Sequence, residues 1–187
     1  MLQADRFPPT PRGRALAGTV LAALALLAIL AVLDRPLQTE AASRGTISFE
    51  LAGSEQRAGE IVDSWVADGE IARAAFGLGL DYLFVPLFAL GLAGLCLAVG
   101  RRLSAAGSTR LAAAAVPLAL CALAGGVSDW CETTALAIQL IDQPESPWPQ
   151  IARACAIAKF ALNGVGLAYL LVGGGITLVR RRRAAPA

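Results

Sequence analysis

Four runs of apolar residues, separated by short polar stretches, organise this chain of 187 residues. Residues 15–33, 81–100, 111–141 and 151–179 are each long enough, at ~1.5 Å per helical residue, to cross a hydrocarbon layer of ~30 Å. The last two exceed a perpendicular crossing, so they are expected to tilt or to extend beyond the layer. Polar stretches 1–14, 34–80, 101–110, 142–150 and 180–187 flank them. The pattern predicts an all-α fold: one membrane domain, 1–187, built as a four-transmembrane-helix bundle. The first run exceeds the ~7 to 15 residues of a signal-peptide core and no clear A-x-A site follows it, so an uncleaved helix is expected.

The stretch between the first two runs has its own periodicity. Ala58, Ile61, Val62, Trp65 and Val66 recur at helical spacing, with Glu55, Arg57, Glu60, Asp63 and Asp68 on the other faces. This predicts an amphipathic helix over about 54–68, with Ser54 as N-cap and Trp65 along the membrane interface or capping the bundle. The pattern Ile71, Ala74, Ala75, Leu78 then leads into the second run, where Gly77 and Gly79 loosen the join. Pro144, Pro147 and Pro149 make 142–150 a stiff connection, so the third and fourth runs should be antiparallel neighbours. Pro86 and Pro117 each free a backbone carbonyl and permit a bend.

Charge gives the orientation. Three arginines precede the first run (Arg6, Arg12, Arg14), three lie between the second and third (Arg101, Arg102, Arg110), and four follow the last (Arg180 to Arg183). Asp5 is the one acid among them, so the positive-inside rule makes both termini cytoplasmic and the amphipathic helix extracytoplasmic. Hydrophobic residues make up 56% of the chain and charged ones 16%, with a mean hydropathy of +0.61, which excludes an ordinary soluble domain. All basic residues except Lys159 are arginine, a hint of a GC-rich bacterial genome, and the inner (plasma) membrane is the expected location. The lipid bilayer is the expected partner, with a protein partner or a second copy of the chain as further options. The arginine run reads as a topology signal and not as a nucleic-acid site.

The absence of histidine excludes bis-imidazole haem ligation, His-based zinc sites and Ser-His-Asp or Cys-His catalysis. Cys96, Cys121, Cys131 and Cys155 stand singly, without C-x-x-C spacing, and a Cys131 to Cys155 bridge is geometrically conceivable. No metal, cofactor or catalytic residue is expected.

The remaining chemistry lies in charges inside the apolar runs. Asp81, Asp129 and Lys159 each lie ~28 to 32 Å of helix from the arginine marking their cytoplasmic end, so both signs of charge share one depth. Small residues Ala112, Ala115, Ala119, Ala122 and Gly126 lead on one face to Asp129, with Glu132 three residues on. A similar stripe on the fourth run, Ala152 and Ala156, leads to Lys159 and Asn163. An Asp129 to Lys159 ion pair follows, with Glu132 and Asn163 as helpers. Glu132 could also reach Arg153. Asp81 shares the depth but projects roughly 80° away from the small face of its own helix.

Read in order, Phe49-Glu50-Leu51-Ala52-Gly53, Leu80-Asp81-Tyr82-Leu83-Phe84-Val85-Pro86, Ser128-Asp129-Trp130-Cys131-Glu132 and Lys159-Phe160 give the chain a likeness over most of its length. It resembles small bacterial four-helix integral membrane proteins of no assigned function. In that group an Asp-x-x-Glu pair on the third helix is often followed by Asn; Thr133 stands there here. The resemblance implies a fold and no activity, substrate or cofactor.

Three functions use these residues. The leading expectation is a non-catalytic interaction or accessory protein whose charges fix the register of the bundle. The alternative is binding or transport of a small polar ligand, ion or proton at Asp129, Glu132, Lys159, Asn163 and Asp81, since ionisable groups inside a membrane mark functional sites. A membrane enzyme using Asp129 and Glu132 as an acid/base pair is the third.

Overall fold

A computed structural model of the protein describes residues 13–184, with side chains for 13–177. Arg6 and Arg12 of the N-terminal arginine group therefore lie outside the described residues, as do the side chains of Arg180 to Arg183. Among the described residues every regular element is helical. In chain order these are α1 (Gly13–Asp34), a short 3-10 turn (Arg35–Leu37), α2 (Thr46–Glu50), α3 (Glu55–Ala67), α4 (Ile71–Ala105), α5 (Thr109–Ala113), α6 (Ala115–Asp142) and α7 (Trp148–Ala184). Four stretches are long and apolar enough to cross a membrane: Gly13–Leu37, Ile71–Ala105, Thr109–Asp142 and Trp148–Thr177. The chain is accordingly an all-helical protein with four hydrophobic spans, of the multi-pass membrane type.

The two prolines act differently. Pro117 has no N–H for the carbonyl of Ala113, and the ladder steps there: Ala114 bonds three residues back to Leu111, at 3.3 Å, and separates α5 from α6. Pro86 sits inside the unbroken α4. The carbonyl it leaves free, that of Tyr82, accepts instead from the indole N–H of Trp130 on α6 at 3.3 Å. The glycines at 77 and 79 do not interrupt α4, which runs for 35 residues. Buried Ala74 and Leu78 on the same stretch pack into a core that outweighs the modest helix penalty of glycine.

α6 and α7 make the most extensive helix pairing, followed by α4 with α6. Close approach uses glycine: a Cβ at Gly126 would lie 2.7 Å from the Ala89 Cβ across α4 and α6. α1 seats on α4 the same way, since a Cβ at Gly94 would lie 2.6 Å from Leu16 Cδ1. The rest of α1 is open, with Leu21 66% and Leu24 56% exposed. Such exposure is ordinary for a lipid-facing helix.

Two cores fill the bundle. At one end Leu92, Cys96 and Leu103 of α4 meet Ala112 of α5, Ala115, Ala119 and Ala122 of α6, and Tyr169 of α7. At the other, Leu78 of α4 and Leu136 of α6 meet Phe49 of α2 and Ile61, Val62 and Trp65 of α3. The Ser54 side chain accepts from the Arg57 N–H at 3.3 Å and starts α3. Trp65 is fully buried, stacks edge-on with Phe49 at 5.3 Å between centroids and donates to the Leu37 carbonyl at 2.8 Å. α2 and α3 therefore fold back onto the bundle end, with Trp65 in its core rather than at an interface.

Candidate functional site

Lys159 is carried to its position by the small face of α7: Ala152 and Ala156 are fully buried, which brings the helix backbone close to α6 and points the next residue of the stripe inward. Its ammonium lies 3.0 Å from Asp129 Oδ1 and 2.8 Å from Glu132 Oε1, donating a hydrogen bond to each. Asp129 and Glu132 are one turn apart on α6, so both reach the same point. All three residues are buried. The Asp129 to Lys159 ion pair thus joins α6 to α7.

A third carboxylate completes the set. Glu50 Oε2, at the end of α2, lies 3.4 Å from the same ammonium. Sequence reasoning did not single out Glu50 as a site residue, although it stands in an otherwise apolar run, Ile47 to Ala52, with only Ser48 for polar company. Its position depends on distant contacts. Asp34, the last residue of α1, accepts from the Thr46 N–H at 2.7 Å and anchors the first turn of α2. The preceding Gly45 has φ +54, and any side chain there would run into the Asp34 carboxylate. A glycine and an aspartate thus aim a glutamate from a loop into a membrane helix pair. Burial, reinforced by the negative charge of Asp129, pushes the Glu50 carboxyl above its usual range, and Lys159 works against that.

Asp81 arrives by another route. It is half-buried on α4, and its Oδ2 accepts from Thr133 Oγ1 at 3.2 Å. Among the described residues no cation lies within ion-pair distance of it, so Asp81 stands next to the cluster without sharing Lys159. Thr133, on α6, is the link. Asn163 is not joined to the cluster. It is buried one turn below Lys159 with its side chain against Gly125, where a Cβ would lie 2.5 Å from Asn163 Oδ1, and that oxygen has no hydrogen-bond partner. Arg153 lies over Gly53, where a Cβ would meet its Cδ at 2.5 Å and its Nη1 at 2.9 Å.

Four carboxyl groups thus surround or adjoin one ammonium. Lys159 donates hydrogen bonds to Asp129 and Glu132 and has Glu50 within ion-pair distance, while Oε2 of Glu50 and Oε2 of Glu132 have no hydrogen-bond partner. Ser128 donates to the Cys155 carbonyl at 3.0 Å, so its hydroxyl is committed as a donor. All four cysteines are free thiols. Among the described residues no three acids or cysteines are arranged to hold a metal ion; Lys159 occupies the point on which the carboxylates converge.

The cluster borders a cavity of about 360 Å³. Glu50, Asp81, Asp129 and Lys159, with Asp34 and Thr46 beside them, form its polar wall, and Leu27, Leu30, Leu78, Phe84 and Phe160 supply much of the rest. The Lys159 ammonium also lies 5.1 Å from the centre of the Phe160 ring. At the rim Leu27 and Phe160 are each nearly half exposed, so the cavity opens sideways between α1 and α7. An apolar hollow with a few convergent polar groups has the composition of a small-molecule site.

No family model, no curated protein and no solved structure matches the chain.

Proposed function

We propose that this chain is a multi-pass protein of a bacterial plasma membrane that binds or carries a small ligand in the cavity beside Lys159, without catalysing a reaction. The reading rests on one observation: the charge cluster does not close on itself. A purely architectural ion pair needs one acid per base, and here Glu50 and Asp81 line an open hollow beyond the two acids that Lys159 already serves. Carboxylates in an apolar setting are costly unless something compensates them, and a bound ligand or proton would do so. The two acids needed for acid/base chemistry are both tied to Lys159, and Ser128 is turned away, which favours binding over catalysis.

In this reading both termini and the loop around Arg101, Arg102 and Arg110 face the cytoplasm, while α2 and α3 cover the outer end of the bundle. The cluster then lies at the outer edge of the bilayer, reachable from outside and from the outer leaflet.

Thermal unfolding in lipid nanodiscs, run with a panel of short-chain cationic, neutral and anionic amphiphiles, tests the binding reading. Wild type should show a saturable rise of several degrees with at least one class, by ligand linkage. Leu30→Trp, which fills the cavity from α1, should abolish it. No saturable rise in any class, or equal rises in both proteins, would refute a ligand site here.

A further inference from the structure

Resting on the ligand reading above, we infer that the ligand is a small amphiphilic amine, its ammonium held between Glu50 and Asp81 and its apolar body in the hollow between α1, α4 and α7. Three observations define the class. The first is that the one ammonium beside the hollow is already committed. Lys159 donates to Glu132 at 2.8 Å and to Asp129 at 3.0 Å, and a third carboxylate, Glu50, lies within ion-pair distance at 3.4 Å. An incoming carboxylate or phosphate would find that ammonium taken and would meet like charge.

The second is the presence of free acceptors. Glu50 is 8% exposed and its Oε2 has no hydrogen-bond partner, only the longest of the three contacts to Lys159. Asp81 has a single hydroxyl donor, from Thr133. A primary ammonium brings three N–H donors and a positive charge, which satisfies both acids with charge-assisted hydrogen bonds. It also leaves the count at four carboxylates to two ammoniums, nearer to balance than the empty cluster.

The third is the shape and lining of the hollow. Its wall away from the acids is Leu27, Leu30, Leu78 and Phe84, too apolar to take a sugar or an inorganic cation with its water shell. At about 360 Å³ it stands at the small end of the ~300 to 1,000 Å³ range of ligand pockets, which suits a single short chain or one ring and not a two-chained lipid. The exposed rim at Leu27 and Phe160 gives such a molecule a path from the lipid side, with its head reaching the acids last.

The experiment uses the full chain in phosphatidylcholine nanodiscs, with empty discs as the partition control. Binding of radiolabelled octylammonium, octanol and octanoate is measured for wild type, Asp81→Asn, Glu50→Gln and Leu30→Trp. Octylammonium should bind saturably to wild type, about tenfold more weakly to either acid variant, as expected for loss of one charge-assisted contact, and not to Leu30→Trp. Folding is checked on each variant by its unfolding temperature, and the Leu30→Trp arm leaves every charged side chain in place should an acid variant fail to fold. If octanol or octanoate binds saturably and is lost in Leu30→Trp while octylammonium is not bound, the cavity is a ligand site and the amine assignment is wrong. If none of the three binds above the empty-disc level, the amine assignment falls, and the unfolding panel decides whether the ligand site falls with it.

Discussion

The same three helices, α4, α6 and α7, are built in two different ways at their two ends. Around Cys96, Ala119 and Tyr169 the contacts are small and apolar, and the one buried hydroxyl, that of Tyr169, has no hydrogen-bond partner. Around Lys159 the contacts are ionic, carboxyl groups outnumber the ammonium four to one, and two extra helices, α2 and α3, are folded over the top. The apolar end is how membrane helices associate through close packing of small residues. The charged end goes beyond such packing, and the cavity of about 360 Å³ borders it.

The largest effect expected from pressing on this contrast comes from Lys159→Met. It leaves Asp129, Glu132 and Glu50 facing one another, and removal of one partner from a buried ion pair costs ~3–5 kcal/mol. The folded yield of this variant, by size-exclusion profile, should collapse. Next is Gly45→Ala, which places a side chain at φ +54 against the Asp34 carboxylate; strained backbone of this kind costs ~1–3 kcal/mol before the collision is added. The variant should lose the order of α2, read as faster hydrogen exchange at residues 46–50 with α6 and α7 unaffected. Gly126→Ala forces its Cβ against Ala89 between α4 and α6 and should destabilise the fold by ~1–3 kcal/mol through overpacking, read as a lower unfolding temperature.

A pH series separates the ends more finely. Because burial holds the Glu50 carboxyl above its usual value near 4.5, the folded state binds this proton more tightly than the unfolded state does. Its contribution to stability is therefore greatest below that value and falls as pH rises toward the elevated folded-state value. Unfolding temperature should decline with pH over that window in wild type and decline less in Glu50→Gln. At the apolar end, Tyr169→Phe removes a buried hydroxyl that has no hydrogen-bond partner, so its stability should be unchanged or slightly raised at every pH.

What the sequence revealed of the site, and what it concealed, follows from the range of the interactions. The depth and facing of Asp129 and Lys159 are local properties of two helices, and counting along each helix was enough to place them together. Glu50 is aimed by Gly45 and by Asp34, twelve residues before Thr46, through a loop whose path no periodicity describes. Asp81 points away from the small face of α4 and still reaches the cluster because Thr133 spans the gap. Asn163 shares the facing of Lys159, yet the missing side chain of Gly125 gives it a separate niche. The four hydrophobic spans were legible from length and composition alone, whereas the use of the Tyr82 carbonyl by Trp130 depends on how α4 and α6 pack.

The claim that the charged end carries acid beyond what the fold uses, and that this acid serves a ligand, is tested most directly at Asp81, which Lys159 does not hold. Asp81→Asn keeps the size of the side chain and its acceptor for Thr133 while removing only the charge. Measured side by side in nanodiscs, the variant should unfold at the same temperature as wild type or slightly higher and lose about tenfold in octylammonium affinity. A fall in unfolding temperature comparable to that of Gly126→Ala, with octylammonium affinity unchanged, would contradict the account and make Asp81 a part of the architecture.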